Sequence, residues 1–233
     1  MAELTNRSYE EVERPGLSEA QEDYLKQIYN LGAGRGRVGT QVLAHRLGVR
    51  PASVTEMVGR LAQLGLVEHT PYRGVQLTDK GRKVALEMLR HHRLLETYLV
   101  EVLGYGWDQV HEEAERLEHV ISERFEARIS EVMGHPTRDP HGDPIPMEDL
   151  SLPNAGELVP LDEFPVGVCG SLARVGAQDR DSLNLLNHLG LTPGSRLEVV
   201  GDDGGGVRVR VGGERFLLPA DLAGALWLER VER

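Results

Sequence analysis

The sequence predicts a mainly helical chain that ends in a β domain, and three observations carry that prediction. Apolar residues recur at helical spacing as far as Met133, prolines crowd the stretch from Gly134 to Pro165, and short β-like runs parted by Gly and Asp turns fill the rest. With 233 residues the chain is long enough for about two domains with separate cores. It is read as a leader over 1–17, a helix-turn-helix module with a hairpin wing over 18–90, a helical module over 91–136, a proline-rich tether over 137–165 and a small β-barrel over 166–233.

The first 17 residues lack apolar periodicity and end near Pro15-Gly16, as a flexible leader would. Ser18 with Gln21 three positions on has the form of a capping box, and the helix it opens shows Tyr24, Leu25, Ile28 and Leu31 on one side. Thr40 is placed as the cap of a short second helix through Leu47. Gly48-Val49 makes the turn, and Pro51 starts a third helix that runs to about Leu64. Leu66 to His69 and Val75 to Thr78 read as two strands joined by Pro71-Tyr72-Arg73-Gly74. A long helix is expected from Asp79 to about Val102 and another from Trp107 to about Met133, the latter with Val110, Leu117, Ile121, Phe125 and Ile129 as an apolar stripe suited to a core or a dimer interface. In the last domain the strands are expected at Val166 to Cys169, Arg196 to Val200, Gly206 to Val211 and Arg215 to Leu218, with one helix near Asp181 to Leu189.

Composition narrows the function. No apolar run approaches the ~20 residues of a membrane span, and the start has no signal-peptide order, so a soluble cytoplasmic protein without a membrane partner is expected. A single cysteine, Cys169, excludes an internal disulfide and a thiolate zinc cluster, leaving any metal to His, Asp and Glu. The net charge of -11 conceals an asymmetry: residues 34 to 93 hold eleven bases against four acids, and residues 94 to 164 hold four bases against seventeen acids. A basic module precedes an acidic one.

In the basic module, Leu43, Leu47, Val49, Val54, Val58 and Leu61 are spaced to bury a shared core, which turns Arg50, Ser53, Thr55, Glu56 and Arg60 outward. A helix laid in the major groove offers side chains near its N-terminus to base edges. Arg50, Ser53 and Thr55 are therefore candidates for base edges, Pro51 and Ala52 for thymine methyls, and Arg60, Arg73 and Lys80 for phosphates. The partner implied is double-stranded DNA. In the acidic module, HEEAERLEHV sets His111, Glu115, Glu118 and His119 on one helix face, and LRHHRLLET puts His92 and Glu96 one turn apart on the helix before it. Six ligand-type residues on two helices suit a divalent ion that offsets their mutual repulsion.

From Glu22 to Arg233 the chain resembles the diphtheria-toxin-repressor family of metalloregulators. EDYLKQIYNL resembles its first helix, PASVTEMVGRLAQLGLVEHTPYRGVQLTDKGR its recognition helix and wing, HHRLLE and VHEEAERLEHV its ligand-bearing segments, HGDPIP its tether, and LLNHLGLTPGS its SH3-like (FeoA-like) last domain. The resemblance implies a homodimeric repressor on a palindromic operator, switched by metal and controlling uptake of manganese or iron. It implies a primary site at Asp23, Glu115, Glu118 and His119, and an ancillary site at His92, Glu96 and His111 completed by Asp179 or, less well matched, Asp181. Iron-responsive members carry Met and Cys where this chain has Asp23 and Glu115, so a carboxylate-rich set implies Mn(II), with Fe(II) as the alternative. Short manganese-sensing members build a binuclear pair with a carboxylate where Lys26 stands here, which argues for separate ions instead.

Two rivals follow from other classes. A metal-dependent hydrolase lacks support, since there is no zinc-protease signature, nucleophile elbow or phosphate loop, and no enzyme is expected. A winged-helix regulator answering an organic ligand would bind DNA without regard to chelators.

Overall fold

The structure is a computed structural model that describes residues 16–231, apart from 155, 178 and 203. The expected leader lies outside the described residues except for Gly16 and Leu17. The chain divides into two compact units. One holds the residues up to His91 together with Glu118–Ala127 and Glu148–Leu150; the other holds His92–Leu117, Arg128–Met147 and Ser151–Arg233.

In the first unit α1 (Glu19–Leu31) begins where expected, with the Ser18 N–H donating to Gln21 Oε1 at 2.9 Å. The helix α2 (Thr40–Leu47) starts at Thr40 itself, and Gly39 is its cap. Gly48, at φ 65°, makes the left-handed turn into α3 (Pro51–Gln63), which has Pro at its first position. The wing is β1 (Val67–Thr70) paired antiparallel with β2 (Gly74–Leu77), and a bridge from Val38 to Val75 ties it to the segment before α2. Gly74 has φ 89°, and a Cβ there would stand 2.3 Å from the Val38 carbonyl oxygen, so only glycine lets the wing close against that segment. Leu25, Ile28, Leu43, Val54, Val58 and Leu61 form the core with Leu66 and Val75. Val49, expected to be buried, is 39% exposed, because it sits in the turn and not on a helix.

The helix α4 (Asp79–Glu101) follows, then α5 (Val110–Leu117) and α6 (Glu123–Val132). The single helix expected from Trp107 to Met133 is thus two. The break spans residues 118–122, where Ser122 starts a new helix: its carbonyl accepts from the N–H groups of Phe125 and Glu126 at 2.8 and 2.9 Å. Glu118 and His119 consequently leave the helix face on which they were expected. The apolar stripe is interrupted with them, leaving Phe125 44% exposed while Val110 and Ile129 are buried.

In the second unit an antiparallel six-stranded sheet runs in the order β3-β8-β4-β5-β6-β7. Its strands are β3 (Val159–Pro160), β4 (Cys169–Val175), β5 (Arg196–Asp202), β6 (Gly206–Val211), β7 (Glu214–Pro219) and β8 (Leu226–Arg230), with α7 (Arg180–His188) between β4 and β5 and the single turn α8 (Ala220–Ala223) before β8. Register shifts at Leu172/Arg174 and Val199/Gly201 bend the sheet. Leu172, Leu183, Leu186, Leu197, Val209, Leu218, Leu226 and Leu228 fill its core. Two expectations change. Val166 and Val168 precede β4 instead of forming a strand, and β8, whose pattern Leu-Trp-Leu was passed over, pairs with both β3 and β4.

Candidate metal centres and DNA-reading face

The first centre gathers on α1 and on the turn after α5. Asp23 comes from the first turns of α1, Glu118 and His119 from the turn, and one donor atom of each lies within 4.8 Å of the others. His119 Nε2 stands 3.2 Å from Asp23 Oδ1 and 3.5 Å from Glu118 Oε1. Donors about 2.1 Å from a shared ion sit about 3.0 to 3.5 Å apart, so these spacings fit a transition-metal ion. On the other side of the ring, Nδ1 is 2.7 Å from Glu22 Oε2. Glu22 is a buried carboxylate that the sequence reading passed over, and it fixes the ring so that Nε2 faces Asp23. Hydrogen bonds to Asp23 and Glu22, aided by the nearby Glu118 charge, outweigh burial and raise the His119 pKa to about 10. Without metal this imidazole carries a proton.

Lys26 completes the surroundings. Its ammonium, buried like the Glu118 carboxylate, donates to Glu118 Oε1. A cation is already in place on that side of Glu118, and the charges of the group are three carboxylates against Lys26 and protonated His119. Replacing one proton by a divalent ion balances them.

The second centre has the inverse composition. Glu96, 1% exposed on α4, is met by imidazoles. Its Oε1 is 3.1 Å from both His92 Nε2 and His111 Nδ1, and those two nitrogens are themselves 3.1 Å apart. Its Oε2 lies 3.6 Å from Nδ1 of the buried His141, an atom with no hydrogen-bond partner among the described residues. Burial pushes the Glu96 carboxyl up, but His92, His111 and His141 hold it well below the ordinary range. Asp139 joins Glu96 and His141 in a further group of three. Burial and the charges of Glu96 and Asp143 raise its pKa to about 7, although its Oδ1 also shapes the local turn by accepting from the N–H groups of His141 and Asp143 at 2.9 Å.

Three residues matched by resemblance, Asp179, Asp181 and Glu115, have other settings. Asp179 caps α7, its Oδ1 accepting the Ser182 N–H at 2.9 Å, and hydrogen bonds of this kind lower its pKa; the residues that join His92 and His111 around Glu96 are His141 and Asp139. Asp181 lies in the first turn of that same helix. Glu115, on α5, is half exposed and lies 3.5 Å from His111 Nε2. His141 opens HGDPIP and Asp139 stands two residues before it, in a stretch that reads as tether only while its imidazole and carboxylates are counted as solvated.

The predicted DNA-reading residues are all exposed. Arg50 caps α3, Pro51, Ala52, Ser53 and Thr55 line its first turns, and Arg60, Arg73 and Lys80 are all exposed. Arg60 is held by Glu56 one turn earlier at 2.5 Å, and the Thr55 hydroxyl donates to the Pro51 carbonyl at 3.1 Å. Tyr72, with φ 62°, stands fully exposed at the wing tip beside Arg73.

Comparison with known proteins covers most of the chain. Residues 16–75 match the N-terminal DNA-binding domain of iron-dependent repressors, residues 78–147 their metal-binding and dimerisation domain, and residues 159–230 the FeoA domain. The iron-dependent repressor IdeR of Mycobacterium tuberculosis is 36% identical over 227 residues, spanning 92% of this chain and 99% of that protein. A solved manganese-dependent transcriptional repressor in complex with manganese is 40% identical and superposes with a TM-score of 0.84, covering 91% of this chain and 100% of the other. The manganese regulator SloR is 30% identical with a TM-score of 0.76, covering 91% and 98%. Among the described residues, no helix is long and apolar enough to cross a membrane.

Proposed function

Because this chain belongs to the iron-dependent-repressor family that includes the diphtheria toxin repressor, and is thereby a metal-dependent transcriptional repressor, we propose that Mn(II) is its effector and that Asp23, Glu118 and His119 hold the activating ion. The observation that carries this reading is the convergence of two carboxylates and one imidazole at coordination spacing, with an outer carboxylate, Glu22, orienting the ring. Bound there, the ion would supply two positive charges shared among several donors at once, where a proton serves one donor, and a hard, oxygen-rich donor set suits Mn(II).

The chain's own residues do the rest. Asp23 belongs to α1, which packs in the core of the DNA-reading module, and Glu118 and His119 belong to the turn before α6. Drawing them together restrains α1, and the affinity for DNA rises by whatever preference metal has for the restrained state. Lys26 answers part of the Glu118 charge, so one ion suffices at this centre. Glu96 with His92, His111 and His141 forms the ancillary site. Arg50, Ser53 and Thr55 read base edges of a palindromic operator in the cytoplasm, with Arg60, Arg73 and Lys80 on phosphates and a homodimer placing two copies of α3 about one helical turn apart. Genes for metal uptake are the expected targets.

Fe(II) is the second reading, favoured by the name of the IdeR relative. Anaerobic fluorescence-anisotropy titration of a palindromic promoter fragment, with chelator and then Mn(II) or Fe(II), separates the two. Mn(II) at the lower concentration restores binding if the first holds. Fe(II) doing so establishes the second, and binding unaffected by chelator overturns both.

A further inference from the structure

We infer that a third cation site, distinct from the two centres above, lies between α4 and the start of α6 and takes a first-row divalent transition-metal ion on Glu87, His91 and Glu123. Glu87 and His91 are one turn apart on α4, both buried, and Glu123 opens α6 with its side chain 30% exposed. One donor atom of each lies within 4.8 Å of the others. The His91 imidazole is inaccessible to solvent and held at both nitrogens. Nδ1 is 3.1 Å from the Glu118 carbonyl oxygen, while Nε2 is turned to carboxylates, 3.4 Å from Glu123 Oε1 and 2.9 Å from Glu126 Oε2.

That is the arrangement of a metal-bound histidine: one ring N–H is given to a backbone carbonyl, which fixes the tautomer and leaves the other nitrogen for the ion. The spacings from Nε2 match donors that share one ion at about 2.1 Å. Glu126 is anchored through Oε1 by Arg90 Nε at 2.6 Å, and its Oε2 faces the site as a fourth donor and third oxygen. Burying three carboxylates around one imidazole is costly unless positive charge is supplied, and Arg90 supplies one unit. A divalent ion supplies two more and loses little to solvent at a largely buried position. The rival occupant of this space is a proton on Nε2 shared with Glu126. The site itself stands apart from the reading of Asp23, Glu118 and His119. Its consequence rests on that reading: His91 grips the Glu118 carbonyl, so an ion here steadies the turn that presents Glu118 and His119.

Equilibrium dialysis of the full chain against Mn(II), with bound metal counted by atomic emission, tests the inference. Glu123→Gln is near-isosteric at a part-exposed position and keeps the fold, as a circular-dichroism melt verifies. It is expected to remove one equivalent of Mn(II) relative to the unaltered chain. The double variant Asp23→Asn with Glu96→Gln, which cripples both centres described above, is expected to retain one equivalent and to lose it when Glu123→Gln is added. Equal stoichiometry with and without Glu123→Gln, in either background, overturns the site and assigns the space to the shared proton. A double variant that loses nothing relative to the unaltered chain would instead break the reading of the other two centres, while the third still stands or falls with Glu123→Gln.

Discussion

At the first centre one imidazole faces carboxylates; at the second one carboxylate faces imidazoles. The same residue types in inverse proportion give opposite electrostatics before any metal arrives. Around His119, Asp23 and Glu22 hold a proton on the ring up to about pH 10, so the proton is the ion's competitor. Around Glu96, His92, His111 and His141 keep the carboxylate ionised despite complete burial, so an anion stands ready for a cation. The oxygen-rich group suits Mn(II), whereas the nitrogen-rich group suits zinc or cobalt better. Composition of the donor set, more than its shape, separates the two candidate centres.

The most damaging way to break this comparison is Glu118→Gln, which removes a buried anionic donor and the charge that the Lys26 ammonium meets there. Mn(II)-dependent operator binding is expected to weaken by more than the roughly 100-fold that outer-shell changes reach, as measured by anisotropy. Glu22→Gln tests the orienting carboxylate alone, with an expected loss of about 10- to 100-fold in Mn(II) affinity and a fall in the His119 pKa followed by NMR. Unchanged affinity would mean that the ring needs no such support.

The proton competition sharpens the contrast further. Below pH 10, Mn(II) affinity at the first centre is expected to rise about tenfold per pH unit while one proton is displaced. For the metal-free chain the sign is opposite. The folded pKa of His119 lies above its ordinary value of 6.5, so its stabilisation is complete below pH 6.5 and is lost as pH rises through about 10. Urea melts with chelator between pH 6 and 10 should show a downward slope of at most about 1.4 kcal/mol per unit that His119→Asn flattens. Glu96→Gln should leave this slope in place while removing one bound Zn(II), a result that separates the two groups. The smallest effect belongs to the DNA-reading face: Arg73→Ala is expected to lower the salt slope of operator binding by about one, and Ser53→Ala to relax base preference instead.

Much of this was legible in local sequence. The Ser18 to Gln21 box, Pro51 at the start of α3, Gly48 in the turn and the wing closed by Gly74 are signals carried within a few residues, and each sits where the spacing put it. Asp23, Glu118, His119, His92, Glu96 and His111 were readable as ligand-type residues for the same reason. Glu22 was not, because an acid in the first turn of a helix normally faces water, and only the return of His119 from 97 positions away buries it. His91 was masked by its neighbour His92, and the helix break at 118–122 by a periodicity that ran straight through it.

The sequence by itself determined which residue types are available, which segments coil or pleat, and that a basic reading module precedes an acidic, ligand-bearing one. Only the tertiary structure decided how the ligands divide: that Glu118 and His119 turn off their helix toward Asp23, that His141 and Asp139 approach Glu96 while Asp179 serves as a helix cap, and that Lys26 lies against Glu118. The physical reason is range. Helix periodicity and capping act within a turn or two, whereas coordination spacing and the balance of buried charge are properties of side chains brought together from across the chain.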